Sequence, residues 1–91
     1  MNEKEIDEII LKYNWRRDVK ALRKTFKLKD FSSATAFFIQ VALISEQLDH
    51  HPDILLHNYN CITIITITHS EKEITQKDIE LINKIETING Y

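Results

Sequence analysis

The sequence predicts a single domain that combines α-helices with β-strands. Three segments carry apolar residues at helical spacing, and the segments between them either alternate apolar with polar residues or are rich in β-branched residues. The chain has 91 residues, 43% of them hydrophobic, which is enough for one core and too little for a second domain. We therefore expect residues 1–91 to form one domain.

The chain opens with a predicted helix that runs to about Leu11. Asn2 is a candidate N-cap, and acidic residues follow it in the first turn. The apolar residues of this segment recur at helical spacing: Ile6, Ile9 and Ile10. Two strands are expected next, in residues 13–18 and in the alternating segment "ALRKTFKLK", and they pair most simply as a hairpin. Lys24 interrupts the apolar face of the second strand, which predicts a place near the sheet margin where its ammonium group reaches water.

The longest predicted helix spans residues 31–49. Three residues near its start could cap it: Asp30, Ser32 and Ser33. Its main apolar stripe suits a core-facing surface: Ala34, Phe37, Phe38, Val41, Ala42, Ile44 and Leu48. A second stripe of Ala36, Ile39 and Leu43 lies on the opposite side, and a monomer of this size covers only one face of its longest helix. We expect this stripe to pack against a second copy of the chain; the alternative is a few tolerated surface apolar residues.

Pro52 is expected to end the long helix, and the next predicted strand covers residues 61–68. Every position from Ile62 to Thr68 is β-branched, and apolar residues point to both faces. A two-sided apolar strand is hazardous as a bare edge, so we expect it to lie between subunits. A last helix begins at Thr75, which forms a capping-box pattern with Asp78. Its apolar positions are three apart: Ile79, Ile82 and Ile85.

Composition argues against several classes of function. The net charge is −2 with both signs interleaved, so we expect no nucleic-acid partner. No apolar run reaches membrane-spanning length, so we expect no membrane partner. A lone cysteine, Cys61, cannot form an intrachain disulfide, and the opening residues lack the features of a signal peptide, which together predict a cytoplasmic location. Gly90 is the single glycine, which excludes a glycine-rich phosphate loop.

The histidines are the residues that most suggest chemistry: His50, His51, His57 and His69. Zinc needs three or four convergent ligands, whereas adjacent histidines at a helix end diverge and no familiar ligand spacing is present, so we predict no metal. General acid–base chemistry fits better, because a helix end and the end of the following strand could meet at one pocket. Asp49, Asp53 and Asp78 offer carboxylates that could orient an imidazole. Residue types alone leave solvated turn histidines as an open alternative.

Longer stretches of the chain resemble a known family. The segment "WRRDVKALRKTFKLKDFSSATAFFIQVALISEQLDHHPD", then "YN", then "THSEKEITQKDIELINKIE", is similar to the pterin-4a-carbinolamine dehydratases from Trp15 to Glu86. The specific features are a Phe-x-x-Ala-x-x-Phe helix, a Val-Ala pair, and a Glu four residues before His-His-Pro. A Thr-His pair also stands nine residues before the Asp that opens the last helix.

The resemblance implies an α+β fold with a four-stranded antiparallel sheet and three helices packed mainly on one face. It also implies a homodimer or homotetramer, in which the long helix joins an intersubunit bundle and an edge strand extends the sheet across a dimer axis. Helix 31–49 and strand 61–68 would provide these contacts.

The resemblance further implies an enzyme, a hydro-lyase that dehydrates 4a-hydroxytetrahydrobiopterin to quinonoid dihydropterin in tetrahydropterin recycling, with no metal or cofactor. The alternative is a non-catalytic dimerisation or assembly partner with the same fold. By resemblance the acid–base groups are His50, His51 and His69, with His51 or His69 as the base. Asp78 would steer His69.

The remaining predicted site residues would bind substrate. Glu46, Asp49 and Pro52 would shape the pocket and hydrogen-bond the pterin, while Thr68 and Ser70 would flank His69. The chain departs from the family where Ile54 and Leu55 replace a frequent aromatic residue and where "SEKE" replaces a glycine-bearing turn. His57 matches no catalytic position.

Overall fold

The fold is that of a computed structural model, which describes residues 2–88; residues 1 and 89–91 of the predicted domain lie outside the described part. Seven elements follow one another along the chain: α1 (Glu3–Tyr13), β1 (Arg16–Asp18), β2 (Ala21–Lys27), α2 (Phe31–Leu48), β3 (Asp53–His57), β4 (Cys61–Thr66) and α3 (Gln76–Ile85). The three predicted helices are present. No helix among residues 2–88 is long and apolar enough to cross a membrane.

The four strands form one antiparallel sheet in the order β1-β2-β4-β3. The predicted hairpin of β1 and β2 is confirmed, with Asp18 opposite Ala21. Strand β3 is the element that the residue pattern did not predict. It is short, and it forms an edge of the sheet, so only alternate residues are partly buried.

The expectation that residues 61–68 pair between subunits is wrong. Strand β4 lies between β2 and β3 and pairs with both from Cys61 to Ile65. Its backbone groups are therefore used within the sheet, and β3 is the outer strand on this side. The apolar groups on both faces of β4 are explained by this central position.

The core lies between the helices and one face of the sheet. Alternate residues of β4 point toward the helices, so Ile62, Ile64 and Thr66 are fully buried. An aromatic group extends the core, with the Trp15 and Phe26 ring centroids 6.1 Å apart and those of Phe26 and Phe37 4.8 Å apart. The predicted arrangement of helices on one face of a four-stranded sheet is confirmed.

Short polar side chains begin α1 and α2 as predicted. The Asn2 side chain accepts from the Lys4 backbone N–H, and Asp30 accepts from the Ser33 backbone N–H at 2.8 Å. Hydrogen bonds from the Ser33 backbone and side chain lower the pKa of the exposed Asp30 carboxyl from its usual value. The first helix continues two residues beyond Leu11, to Tyr13.

The prediction that Lys24 reaches water at the sheet margin is wrong. Its side chain is 16% exposed and its ammonium group donates to Glu86 Oε2 at 2.7 Å and to the Tyr13 carbonyl at 2.6 Å. Glu86, 4% exposed, also accepts from Trp15 Nε1 at 2.8 Å. Lys24 therefore faces the helices, and its ammonium group connects the end of α1 to the end of α3.

We predict that Lys24→Met lowers the free energy of unfolding by about 3 kcal/mol, because it leaves the Glu86 carboxylate buried without this counter-charge. Lys27→Met is the matched control, since Lys27 is exposed on the same strand and its loss should cost less than about 0.5 kcal/mol. Urea denaturation of both variants checks this, and equal midpoints would contradict it.

Candidate active site

The Asp78 carboxylate is fully buried and accepts four hydrogen bonds. Its Oδ1 accepts from His50 Nε2 at 2.7 Å and from Thr66 Oγ1 at 2.6 Å. Its Oδ2 accepts from Thr68 Oγ1 at 2.8 Å and from the Thr75 backbone N–H at 2.9 Å. One side chain thus connects the end of α2, strand β4, the segment after it and the start of α3.

The capping box at the start of α3 positions Asp78. Thr75 is the N-cap and Asp78 is the third helical residue, so the predicted capping box is present. In an ordinary capping box the acidic side chain accepts a hydrogen bond from the N-cap backbone N–H of its own helix. Asp78 accepts that bond from Thr75, and its other three donors come from other parts of the chain.

The end of α2 places His50 against this carboxylate. Asp49 adopts the left-handed conformation at φ 51°, its backbone N–H donates to the Glu46 carbonyl, and the His50 N–H donates to the Ser45 carbonyl. These two bonds define a Schellman motif with an aspartate where glycine is common. The motif reverses the chain direction before Pro52 and turns the His50 side chain inward, where it is buried.

His51, the next residue, points the other way. Its Nε2 lies 2.7 Å from Glu46 Oε1, and the two side chains are 60% and 75% exposed. A contact between two side chains this exposed contributes little to stability. Asp49 is also exposed and Pro52 is partly exposed, so the predicted pocket residues around the histidine pair are accessible from solvent.

His69 and Ser70 are exposed at the start of the turn that follows β4. A bridge between Thr68 and Glu73 closes this turn, with the Thr68 N–H donating to the Glu73 carbonyl at 3.1 Å. The "SEKE" turn is thus held at its ends without glycine, with Lys72 in the left-handed region at φ 55°.

The structure corrects two of the predicted roles. Asp78 hydrogen-bonds His50, so the prediction that it steers His69 is wrong; His69 lies one residue beyond Thr68, and its link to Asp78 is through that neighbour. Thr68 is buried, and its hydroxyl is used by Asp78 and by Thr75 Oγ1 at 2.6 Å. Its side chain therefore faces the protein interior instead of the rim of a pocket.

Sequence analysis missed Thr66. Its hydroxyl contacts the same Asp78 oxygen as His50, but a threonine in a run of β-branched residues carries no sign of such a role. The available signal was its register. Thr66 shares the inward face with Ile62 and Ile64, and a hydroxyl on a buried face requires a hydrogen-bond partner.

The arrangement combines one buried imidazole with two exposed ones. Since a carboxylate oxygen only accepts, His50 Nε2 donates to Asp78 and its Nδ1 is left for another partner. Exposed His51 and His69 can exchange protons with a bound molecule or with solvent. Among residues 2–88 no group of three or more His, Cys, Asp or Glu side chains is placed to hold a metal ion.

A separate surface cleft of about 560 Å³ lies between the start of α1 and residues 71–74. None of the predicted site residues lines it, so the candidate active site is defined by the histidines and Asp78.

Comparison with known proteins identifies the family of the chain. Residues 1–88 match the family model for pterin 4 alpha carbinolamine dehydratase, and the chain belongs to that family. Curated relatives from Brucella ovis and Brucella canis are each 43% identical over 70 residues, which cover 77% of this chain and 71% of each relative. Both are named "Putative pterin-4-alpha-carbinolamine dehydratase".

Solved structures show the same fold. A transcriptional coactivator/pterin dehydratase from Brucella melitensis superposes with a TM-score of 0.87 at 36% identity, over 99% of this chain and 98% of that one. A pterin dehydratase-like protein identified as a RuBisCO assembly factor in the alpha-carboxysome superposes with a TM-score of 0.68 at 20% identity, over 80% and 86% of the two chains. The second likeness concerns the fold alone.

We predict that Asp78→Asn lowers the free energy of unfolding by about 2 kcal/mol, because the amide NH₂ must face one of the two pairs of donors that now contact carboxylate oxygens. Asp53→Asn is the matched control, since Asp53 is exposed on the edge strand β3. Urea denaturation measures both, and an Asp78→Asn midpoint equal to that of the control would contradict the four-donor network.

Proposed function

We propose that this chain catalyses the dehydration of a 4a-hydroxytetrahydropterin to the quinonoid dihydropterin, with 4a-hydroxytetrahydrobiopterin as the substrate tested first. The observation that supports it is the buried His50–Asp78 pair beside exposed His51. Membership of the dehydratase family supports the class of reaction. A cytoplasmic role in pterin recycling is consistent with the single free cysteine.

The reaction removes one water molecule. A ring N–H of the pterin loses its proton, the C4a–oxygen bond breaks, a C=N bond forms, and the hydroxyl leaves with a second proton. A base and an acid on different parts of the flat ring therefore suffice. No electrons are exchanged with an external carrier, so the histidines can supply all the chemistry.

The contacts of each histidine suggest its role. The Asp78 carboxylate accepts from His50 Nε2, which leaves Nδ1 as the ring atom that can face a substrate, so we assign His50 as the acid that protonates the leaving hydroxyl through Nδ1. His51 or His69 takes the ring proton. Four residues would contact the pterin: Glu46, Asp49, Pro52 and Ser70. Thr68 would contribute indirectly, through its hydrogen bond to Asp78.

The test is the acceleration of 4a-hydroxytetrahydropterin dehydration, followed spectrophotometrically. We predict that His50→Ala and one of the two variants His51→Ala and His69→Ala lower kcat by about 100-fold or more, as loss of the general acid or of the base does, and the larger loss within that pair identifies the base. His57→Ala is the matched control, since His57 hydrogen-bonds Thr63 on β4 at 2.7 Å and belongs to no part of the candidate site. A wild-type protein with no acceleration over buffer would overturn the proposal.

The rival function is a non-catalytic assembly partner. Exposed apolar residues on α2 favour it, because they suit contact with another protein. The same assay separates the two functions, since an assembly partner requires none of the three histidines.

We further propose that the chain forms a homodimer or homotetramer through α2. Ile39 and Leu43 of the second stripe are 53% and 60% exposed, and Ala36 is exposed beside them. Association would remove this apolar surface from water.

We predict that Leu43→Glu lowers the assembled mass by at least half in light scattering at micromolar concentration, because a carboxylate would be buried in the contact. Leu11→Glu is the matched control, since Leu11 is 86% exposed on α1 and should leave the mass unchanged. A strictly monomeric wild type would contradict this proposal.

A further inference from the structure

Thr66 holds an unusual position for a residue of a central strand. It is fully buried, it faces the helices with Ile62 and Ile64, and its cross-strand partner on β2 is Leu22. In these surroundings a hydroxyl is costly unless it has a partner. Its partner is Asp78 Oδ1 at 2.6 Å, the same oxygen that accepts from His50.

The two oxygens of Asp78 are held by different parts of the molecule. Oδ2 is bound by the start of α3 and by the segment after β4, through the Thr75 N–H and the Thr68 hydroxyl. Oδ1 is bound by Thr66 and by His50. Without Thr66, His50 would be the remaining donor to Oδ1. His50 is also the ring that the carboxylate has to orient.

Thr66 is well suited to act as the fixed point of this pair. Thr66 pairs with Leu22 of β2, the residue before it on β4 pairs with both neighbouring strands, and a β-branched side chain has few χ1 choices. The Thr66 hydroxyl therefore ties Oδ1 to the sheet, and the orientation of the His50 ring follows from the orientation of the carboxylate.

We propose that Thr66 is a positioning residue for His50: its hydroxyl fixes the Asp78 carboxylate in the rotation that aims His50 Nδ1 at the substrate. The kinetic part of this inference rests on the proposed dehydratase function. The structural part, the orientation of His50, does not.

The test replaces Thr66 with valine, which keeps the shape and the β-branch and removes the hydroxyl. We expect Thr66→Val to lower kcat about tenfold, with KM changed less than about twofold, because a misplaced proton donor slows the chemical step more than binding. Thr66→Ser restores the hydroxyl and should recover most of the activity. Circular dichroism at the assay temperature establishes that each variant is folded.

Thr63→Val is the matched control. Thr63 lies three residues earlier on the same strand and faces the other side of the sheet, where its hydroxyl contacts Thr25 and His57, both at 2.7 Å. Its loss should leave kcat unchanged and should affect His57 instead of His50.

Imidazole ¹H–¹⁵N spectra give a readout independent of turnover. The His50 Nε2–H, held by Asp78, should show a slowly exchanging proton in the wild type and in Thr66→Ser. In Thr66→Val that resonance should shift or exchange faster, whereas in Thr63→Val it should not.

The proposal holds if both the His50 resonance and kcat change in Thr66→Val and recover in Thr66→Ser. An unchanged resonance overturns it, and so does a changed resonance with full activity. If the wild type fails to accelerate dehydration, the proposed function fails, and the spectra alone decide whether Thr66 orients His50.

Discussion

The structure depends on the buried Asp78 carboxylate. A charged group without solvent is tolerated only when its oxygens are satisfied, and here four donors converge on two atoms. One donor belongs to the helix that Asp78 begins, and the others come from the end of α2, from β4 and from the residue before His69. The same bonds that start α3 therefore also bring the histidine segments together.

Much of the fold could be predicted because its elements carry local signals. Asn2, Asp30 and Thr75 begin their helices as their side-chain chemistry predicts. Strand β3 and the buried position of Lys24 could not be predicted in the same way. Both depend on the strand order β1-β2-β4-β3, which sets which strand is the edge and which face meets the helices, and no local pattern encodes that order.

The candidate site was predictable in its residue types but not in its pairings. The resemblance placed His50, His51, His69 and Asp78 in one site, and the capping box placed Asp78 at the start of α3. The assignment of Asp78 to His69 came from the resemblance alone, and matching residues along the chain does not show which imidazole ring reaches the carboxylate. That ring is set by the reversal of the chain at Asp49, a feature of three-dimensional geometry.

Asp78 both caps α3 and hydrogen-bonds His50, and this combination affects how a protein with this fold can lose its activity during evolution. A lineage that abandons pterin chemistry would still need an acceptor for the donors around α3, so selection for stability alone can retain Asp78. His51 and His69 are exposed, and replacing either one removes little packing. Under the proposed mechanism, the exposed histidines are thus more sensitive indicators of lost catalysis than the buried aspartate.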